Sequence, residues 1–253
     1  MLGTRYIPWE KNMIVAANWK MNPDLATASG LVASYVRDDY PSIQRILFPP
    51  HPYLVPMGVR LQDSQVQLGG QDCHAKPDGA HTGDVSAQML ASCGVNIVLL
   101  GHSERRDAHG ETDADIKAKA TSALAVGLNV MICVGEQADQ REQGQALDVV
   151  ANQLAGSIPN DVSAARLSVA YEPVWAIGTG KVATTNEIAE MHQHIHTKLA
   201  ARNLAQVAIL YGGSVKPDNA ADIFAIPHVG GALVGGASLD ADQFSQICAA
   251  AAR

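Results

Sequence analysis

QVAILYGGS, residues 206–214, is a short apolar run that halts at two glycines and a serine. A run of this length and character, bounded by glycine, reads as a strand buried in a parallel sheet. Similar runs lie at Met13–Asn18, Gln44–Phe48, Val66–Gly70, Asn96–Leu100, Asn129–Val134, Leu167–Tyr171 and Gly231–Val234, which with Gln206–Tyr211 makes eight. Between them sit amphipathic or Ala-rich segments with recognisable helix ends. Asp84 precedes an Ala-rich turn that stops at Gly94, Thr112 opens a segment running to Gly127, Thr184-x-x-Glu187 is a capping box, and Asp240–Ala252 closes the set.

Eight βα units in 253 residues, with no Ser/Gly/Pro-rich linker, favour a closed barrel over an open doubly wound sheet. The predicted architecture is α/β, a single (β/α)8 TIM barrel of eight parallel strands spanning residues 13–253. An N-terminal extension, residues 1–12, should emerge at the barrel face away from the βα loops.

The 47% hydrophobic content is enough to fill the core of a chain this long without disulfide staples. Against 25 Asp and Glu stand 18 Lys and Arg, a formal net charge of −7 with no block of like charge, so no basic footprint for nucleic acid exists. The longest strongly apolar stretch, Ser122–Val134, is broken by Gly127 and Asn129 and is shorter than the roughly 18–20 residues of a bilayer span, which predicts no membrane partner. The opening MLGTRYIPWEKN lacks the apolar run of about 7–15 residues that marks a secretory signal, which predicts a cytoplasmic location. Cys73, Cys93, Cys133 and Cys248 are widely spaced without C-x-x-C and read as buried reduced thiols. His192 and His196 share a helix face but have no third ligand nearby in sequence, so that face reads as solvated rather than metal-binding.

In a barrel, reactive groups gather where strands end and βα loops begin. Strand one ends in Asn18-Trp19-Lys20, strand four in Gly101-His102-Ser103-Glu104-Arg105, strand six in Glu172, strand seven in Gly212-Gly213-Ser214 and strand eight in Gly235-Gly236. Glu172 suits a general base, His102 a proton donor or electrophile, and Lys20 with Asn18 an oxyanion binder. Together they suit proton transfer next to a carbonyl. The glycines after strands seven and eight can present backbone N–H groups to a phosphate beside a helix N-terminus. No nucleophile elbow and no dinucleotide fingerprint after the first strand is present.

Five segments, Asn18–Asn22, Leu100–Arg106, Ala170–Lys181, Tyr211–Val215 and Val234–Leu239, resemble in order the signature segments of the triosephosphate isomerase family. The resemblance covers about Met13 to the C-terminus. It implies interconversion of dihydroxyacetone phosphate and D-glyceraldehyde 3-phosphate through an enediol(ate), in glycolysis and gluconeogenesis, with no metal or organic cofactor. It implies Glu172 as the base, Lys20 as the holder of substrate charge, Asn18 as a side-chain hydrogen-bonding partner and Glu104 as the residue orienting Lys20. His102 would be the electrophile, kept neutral by a helix N-terminus, the assignment usual for this family. Backbone N–H groups of Gly178, Ser214, Gly235 and Gly236 would hold the phosphate, under a loop from Pro173 to Lys181 that closes to keep water from the intermediate.

The same resemblance implies a homodimer in which the loop around Thr82 reaches beside Asn18 and Lys20 of the partner. Three positions depart from the family pattern: His81, where an aromatic is usual, Asp84, where Glu is commoner, and Val182, where smaller or polar residues are common. The competing class, a non-catalytic phosphate-binding barrel, calls for a broken catalytic set, whereas Asn18, Lys20, His102 and Glu172 are all present.

Overall fold

The computed structural model describes residues 12–177 and 182–253. The N-terminal extension up to residue 11 and Gly178 therefore lie outside the described residues. The strands are β1 (Met13–Asn18), β2 (Ile43–Phe48), β3 (Val66–Gly70), β4 (Ile97–Leu100), β5 (Asn129–Val134), β6 (Leu167–Tyr171), β7 (Ala208–Tyr211) and β8 (Gly231–Val234). They form one closed, all-parallel barrel in sequence order, with β8 paired back onto β1.

The helices on the outside are α1 (Leu25–Arg37), α2 (Leu54–Arg60), α3 (Ala87–Ser92), α4 (Ser103–Ala108), α5 (Asp113–Ala125), α6 (Ala138–Glu142), α7 (Ala146–Ser157), α8 (Thr185–Ala200), α9 (Pro217–Phe224) and α10 (Ala241–Ala251). Local chemistry sets many of their ends. Thr112 and Thr184 each accept from the backbone three residues on while Asp115 and Glu187 reach back, closing both capping boxes. One predicted start moves: α3 is capped by Ser86, whose side chain accepts the Met89 N–H, because Asp84 is taken up in the preceding turn.

Strands buried on both faces make two apolar layers. Inside the barrel, Ile14, Ile46, Phe48, Ile97, Leu99, Met131, Leu210 and Leu233 pack with smaller residues into a filled lumen. Outside it, the opposite strand faces and the helices enclose a larger cluster that includes Trp19, Tyr35, Leu90, Ile116, Ile195 and Ile247. Truncating Phe48 to Ala would cost about 3–5 kcal/mol, a figure typical of a buried aromatic. Barrel closure leaves no room for a side chain at Gly231: its φ is +148°, and a Cβ there would stand 1.9 Å from the Ile14 carbonyl oxygen.

Two residues outside the catalytic set sit differently from expectation. His192 is fully buried on α8, with Nδ1 3.2 Å from the His228 carbonyl oxygen, and burial holds its pKa at about 4. The His192 face of α8 is therefore packed against the barrel rather than solvated. Cys73, Cys133 and Cys248 are free and buried, whereas Cys93 is only half-buried at the end of α3.

Candidate active site

The C-terminal ends of the strands surround a cavity of about 300 Å³ lined by Asn18, Lys20, His102, Glu172, Ser214, Gly235 and Gly236. These are all the described substrate-site residues read from the sequence except Glu104, which stands behind Lys20. The sheet register explains the convergence: Val134 pairs with Tyr171 and Tyr171 with Tyr211, so β5, β6 and β7 end at one level.

The turn after β1 is built by Asn18. Its Oδ1 accepts the Lys20 N–H at 3.0 Å, and Lys20 takes a left-handed φ of 53°, a conformation that L-residues rarely adopt without local support. Gln71 adds that support by donating to the Lys20 carbonyl at 2.8 Å. With Oδ1 committed to the turn, the Asn18 amide nitrogen is the group left to donate into the cavity. Lys20 Nζ lies 2.7 Å from Glu104 Oε1 on α4, which fixes the long side chain across the mouth.

His102 caps α4. Its Nδ1 accepts the Glu104 N–H at 3.2 Å, so the ring proton of the neutral form sits on Nε2, the nitrogen turned toward Glu172. Glu172 follows β6 and is 2% exposed, a burial that a carboxylate tolerates only when well bonded. Its Oε1 meets His102 Nε2 at 2.9 Å, and its Oε2 accepts the Ser103 N–H at 2.9 Å. Burial alone would raise the Glu172 pKa, yet His102 and the Ser103 N–H hold it below the ordinary carboxylate value. For His102, burial works against the imidazolium, and the adjacent carboxylate of Glu172 outweighs it, lifting the pKa above its ordinary value.

Two glycines next to this centre have no room for a side chain. A Cβ on Gly135 would fall 1.7 Å from the Glu172 carbonyl oxygen, and one on Gly213 would fall 2.2 Å from the Tyr211 hydroxyl. Gly235 and Gly236 lie at the start of a short 3₁₀ turn, Gly236–Leu239. Tyr35 ties that turn to β1, donating to the Ser238 carbonyl while accepting from Trp19 Nε1 at 3.4 Å.

Strand-end reading passed over β5, which delivers Gly135 and Glu136. Glu136 is wholly buried and accepts from Trp175 Nε1 at 2.8 Å, Arg141 Nη1 at 3.0 Å and the Tyr171 hydroxyl at 3.1 Å. Arg141 also lies over the Trp175 ring at 4.8 Å. This cluster anchors the segment that leaves Glu172 toward residue 177. Extending the strand-end rule to β5 would have found it. Lys216 and Gln243 line the same cavity, with no motif to signal them.

Against known proteins, the triosephosphate isomerase family model matches residues 13–251. The triosephosphate isomerase of Ruegeria pomeroyi is 50% identical over 244 residues, spanning 95% of this chain and 97% of that one. That of Caulobacter vibrioides is 48% identical over 240 residues, spanning 92% and 94%. The crystal structure of triosephosphate isomerase from Bartonella henselae superimposes with a TM-score of 0.86 at 39% identity, covering 94% of this chain and 98% of that one.

Proposed function

From the premise that the chain belongs to the triosephosphate isomerase family and interconverts dihydroxyacetone phosphate and D-glyceraldehyde 3-phosphate, we propose a role for each residue of the cavity. The observation that carries the assignment is the His102–Glu172 pair, 2.9 Å apart and facing the same cavity as Lys20. Glu172 moves the carbon-bound proton between C1 and C2 of the substrate. To reach it, the carboxylate gives up the Ser103 N–H and His102, the two contacts that depress its pKa, and so becomes a stronger base as it engages the substrate.

The same movement resets His102. Once the Glu172 carboxylate turns away, burial and the Glu104 N–H donated to Nδ1 favour the neutral imidazole, with Nε2–H pointing at the substrate oxygen. Lys20 and the Asn18 amide stabilise the negative charge that develops as the enediolate forms, and Glu104 positions Lys20. Ser214, Gly235 and Gly236 give backbone N–H groups to the phosphate, and Gly178 is assigned the same role. No metal or organic cofactor enters this scheme.

A second cavity supports the proposed dimer. About 430 Å³ opens beside Lys20, bordered by Met21, His51, Gln71, Glu104 and Arg105, and Met21 is 94% exposed on its edge. An exposed thioether beside a polar cleft supports a partner surface, and the Thr82 loop of a second copy is its proposed occupant. Neither nucleic acid nor membrane is a proposed partner: the net charge is −7, and among the described residues no helix is long and apolar enough to cross a bilayer. A cytoplasmic location is proposed with this activity. The roles are tested by a coupled assay on dihydroxyacetone phosphate: full turnover in Glu172→Asp would remove the base assignment.

A further inference from the structure

The substrate cavity is lined by a cation that the roles above leave idle. Among the described residues on its wall, Lys20 and Lys216 are the two lysines, and no arginine joins them. Their surroundings differ. Lys20 Nζ is 2.7 Å from Glu104 Oε1, and its side chain is only 27% exposed. Arg105 and Arg106 on α4 are likewise bound, to Glu111 and Asp113. Lys216 is exposed, and among the described residues no carboxylate pairs with its ammonium, Asp218 two residues on included.

The backbone of Lys216 is fixed all the same. Asn219 Oδ1 accepts the Lys216 N–H at 2.8 Å while Asn219 Nδ2 donates to the Ser214 carbonyl at 3.0 Å. The Lys216 carbonyl accepts the Ala220 N–H at 3.0 Å as α9 begins. One side chain thus ties the root of Lys216 to Ser214, a residue assigned to the phosphate.

We propose that Lys216 is the capture cation of this cavity, the charge that draws an anionic triose phosphate to the mouth before Lys20 holds it. The proposal rests on the reading that Ser214, Gly235 and Gly236 seat a phosphate. An isolated charge attracts a distant ion with an energy that falls as the inverse of distance, whereas a close ion pair presents a dipole whose pull falls faster. Lys20, offset by Glu104, is therefore strong at contact and weak at the mouth. Lys216 acts over a Debye length, about 8 Å in physiological salt. A net charge of −7 makes the average field around the chain repel a phosphate, so a local cation on the cavity wall decides the approach. Acting at a distance, Lys216 touches no reacting atom, and it favours charged over uncharged trioses.

The test compares wild type, Lys216→Gln and Lys216→Arg in the coupled assay on dihydroxyacetone phosphate, with the coupling enzyme in excess at every salt concentration. Raising sodium chloride from about 0.01 to about 1 M contracts the Debye length from about 30 to about 3 Å. At low salt Lys216→Gln should lower kcat/KM by about threefold to tenfold with kcat within about twofold of wild type, and the deficit should vanish by about 1 M. Lys216→Arg, which keeps the charge, should match wild type throughout. Conversion of D-glyceraldehyde, which has no phosphate, should be equal in all three when followed by proton NMR. Circular dichroism confirms that each variant is folded. Equal kcat/KM in wild type and folded Lys216→Gln at low salt, or a deficit that persists at high salt, would overturn the capture role alone. A wild type that inorganic phosphate fails to inhibit would remove the phosphate seat, and the capture role with it.

Discussion

Ser103 donates its backbone N–H to Oε2 of Glu172 at 2.9 Å, so the first residue of α4 holds a carboxylate delivered by β6. The contact ties the proposed base to α4, in a cavity that Lys20 also lines. Under the proposed roles, catalysis starts with the release of this well-bonded group, and the carboxylate's reach sets how well it meets the substrate carbon.

Glu172→Asp shortens that reach by one methylene. A misplacement of about 1 Å at a catalytic group costs on the order of a hundredfold. The expected result in the coupled assay is kcat lower by about that factor with KM little changed, because the phosphate contacts are untouched.

Gly135→Ala tests the same geometry from behind. The added methyl would meet the Glu172 carbonyl oxygen at 1.7 Å, which only a backbone shift at Glu172 can relieve. Overpacking of this kind costs about 1–3 kcal/mol. Calorimetry should show a lower Tm, and turnover should fall more steeply than stability accounts for. An active variant with an unchanged Tm would show that the Glu172 backbone adapts.

Lys20→Ala removes the cation from the substrate cavity's β1 wall. Loss of a charge-assisted contact costs about 1.5–3 kcal/mol. Affinity for inorganic phosphate should drop by about tenfold or more and turnover should fail. Unchanged phosphate affinity would assign Lys20 to surface charge alone.

The His102–Glu172 pair gives stability a defined pH window. His102 is raised above its ordinary 6.5, so its contribution is complete below 6.5 and fades as pH rises through the folded value. Glu172 is lowered below 4.5, so its contribution is complete above 4.5 and fades as pH falls through the folded value. Both are in full force between about 4.5 and 6.5. Melting curves of wild type and His102→Gln should differ most in that interval and converge outside it.

Thr82→Glu places a carboxylate at the tip of the loop proposed to enter the partner's cavity beside Lys20. Desolvating that charge opposes association. Sedimentation at several concentrations should show a shift toward monomer together with lost activity, whereas an unaffected dimer would place the interface elsewhere.

The barrel was legible because its strands are buried on both faces, so each is a continuous apolar run that stops where the chain meets solvent. Predicted and observed bounds coincide for Met13–Asn18, Val66–Gly70, Asn129–Val134, Leu167–Tyr171 and Gly231–Val234, and shift by one or two residues for the others. Ser86 capped α3 in place of Asp84 because both are good caps and the competing turn is a tertiary matter. Asn18, Lys20, His102 and Glu172 could be read from their places at strand ends. Their partners could not: Ser103 and Glu172 are 69 residues apart, and Tyr171 and Glu136 are 35 apart, so no local pattern joins them. His192 was misread because the His192/His196 spacing shows a shared face but not whether that face is packed on the barrel.

The lumen packing of Phe48, Leu99, Met131 and Leu210 makes the barrel a vessel with a floor. Among the described residues this packing leaves no rear exit for a triose phosphate that enters at the mouth, so both triose phosphates pass through one doorway in opposite directions. Traffic there is shared: an obstruction that delays escape of the aldehyde delays arrival of the ketone as well. Substitutions around that doorway should therefore change forward and reverse fluxes together, leaving their ratio where the solution equilibrium sets it.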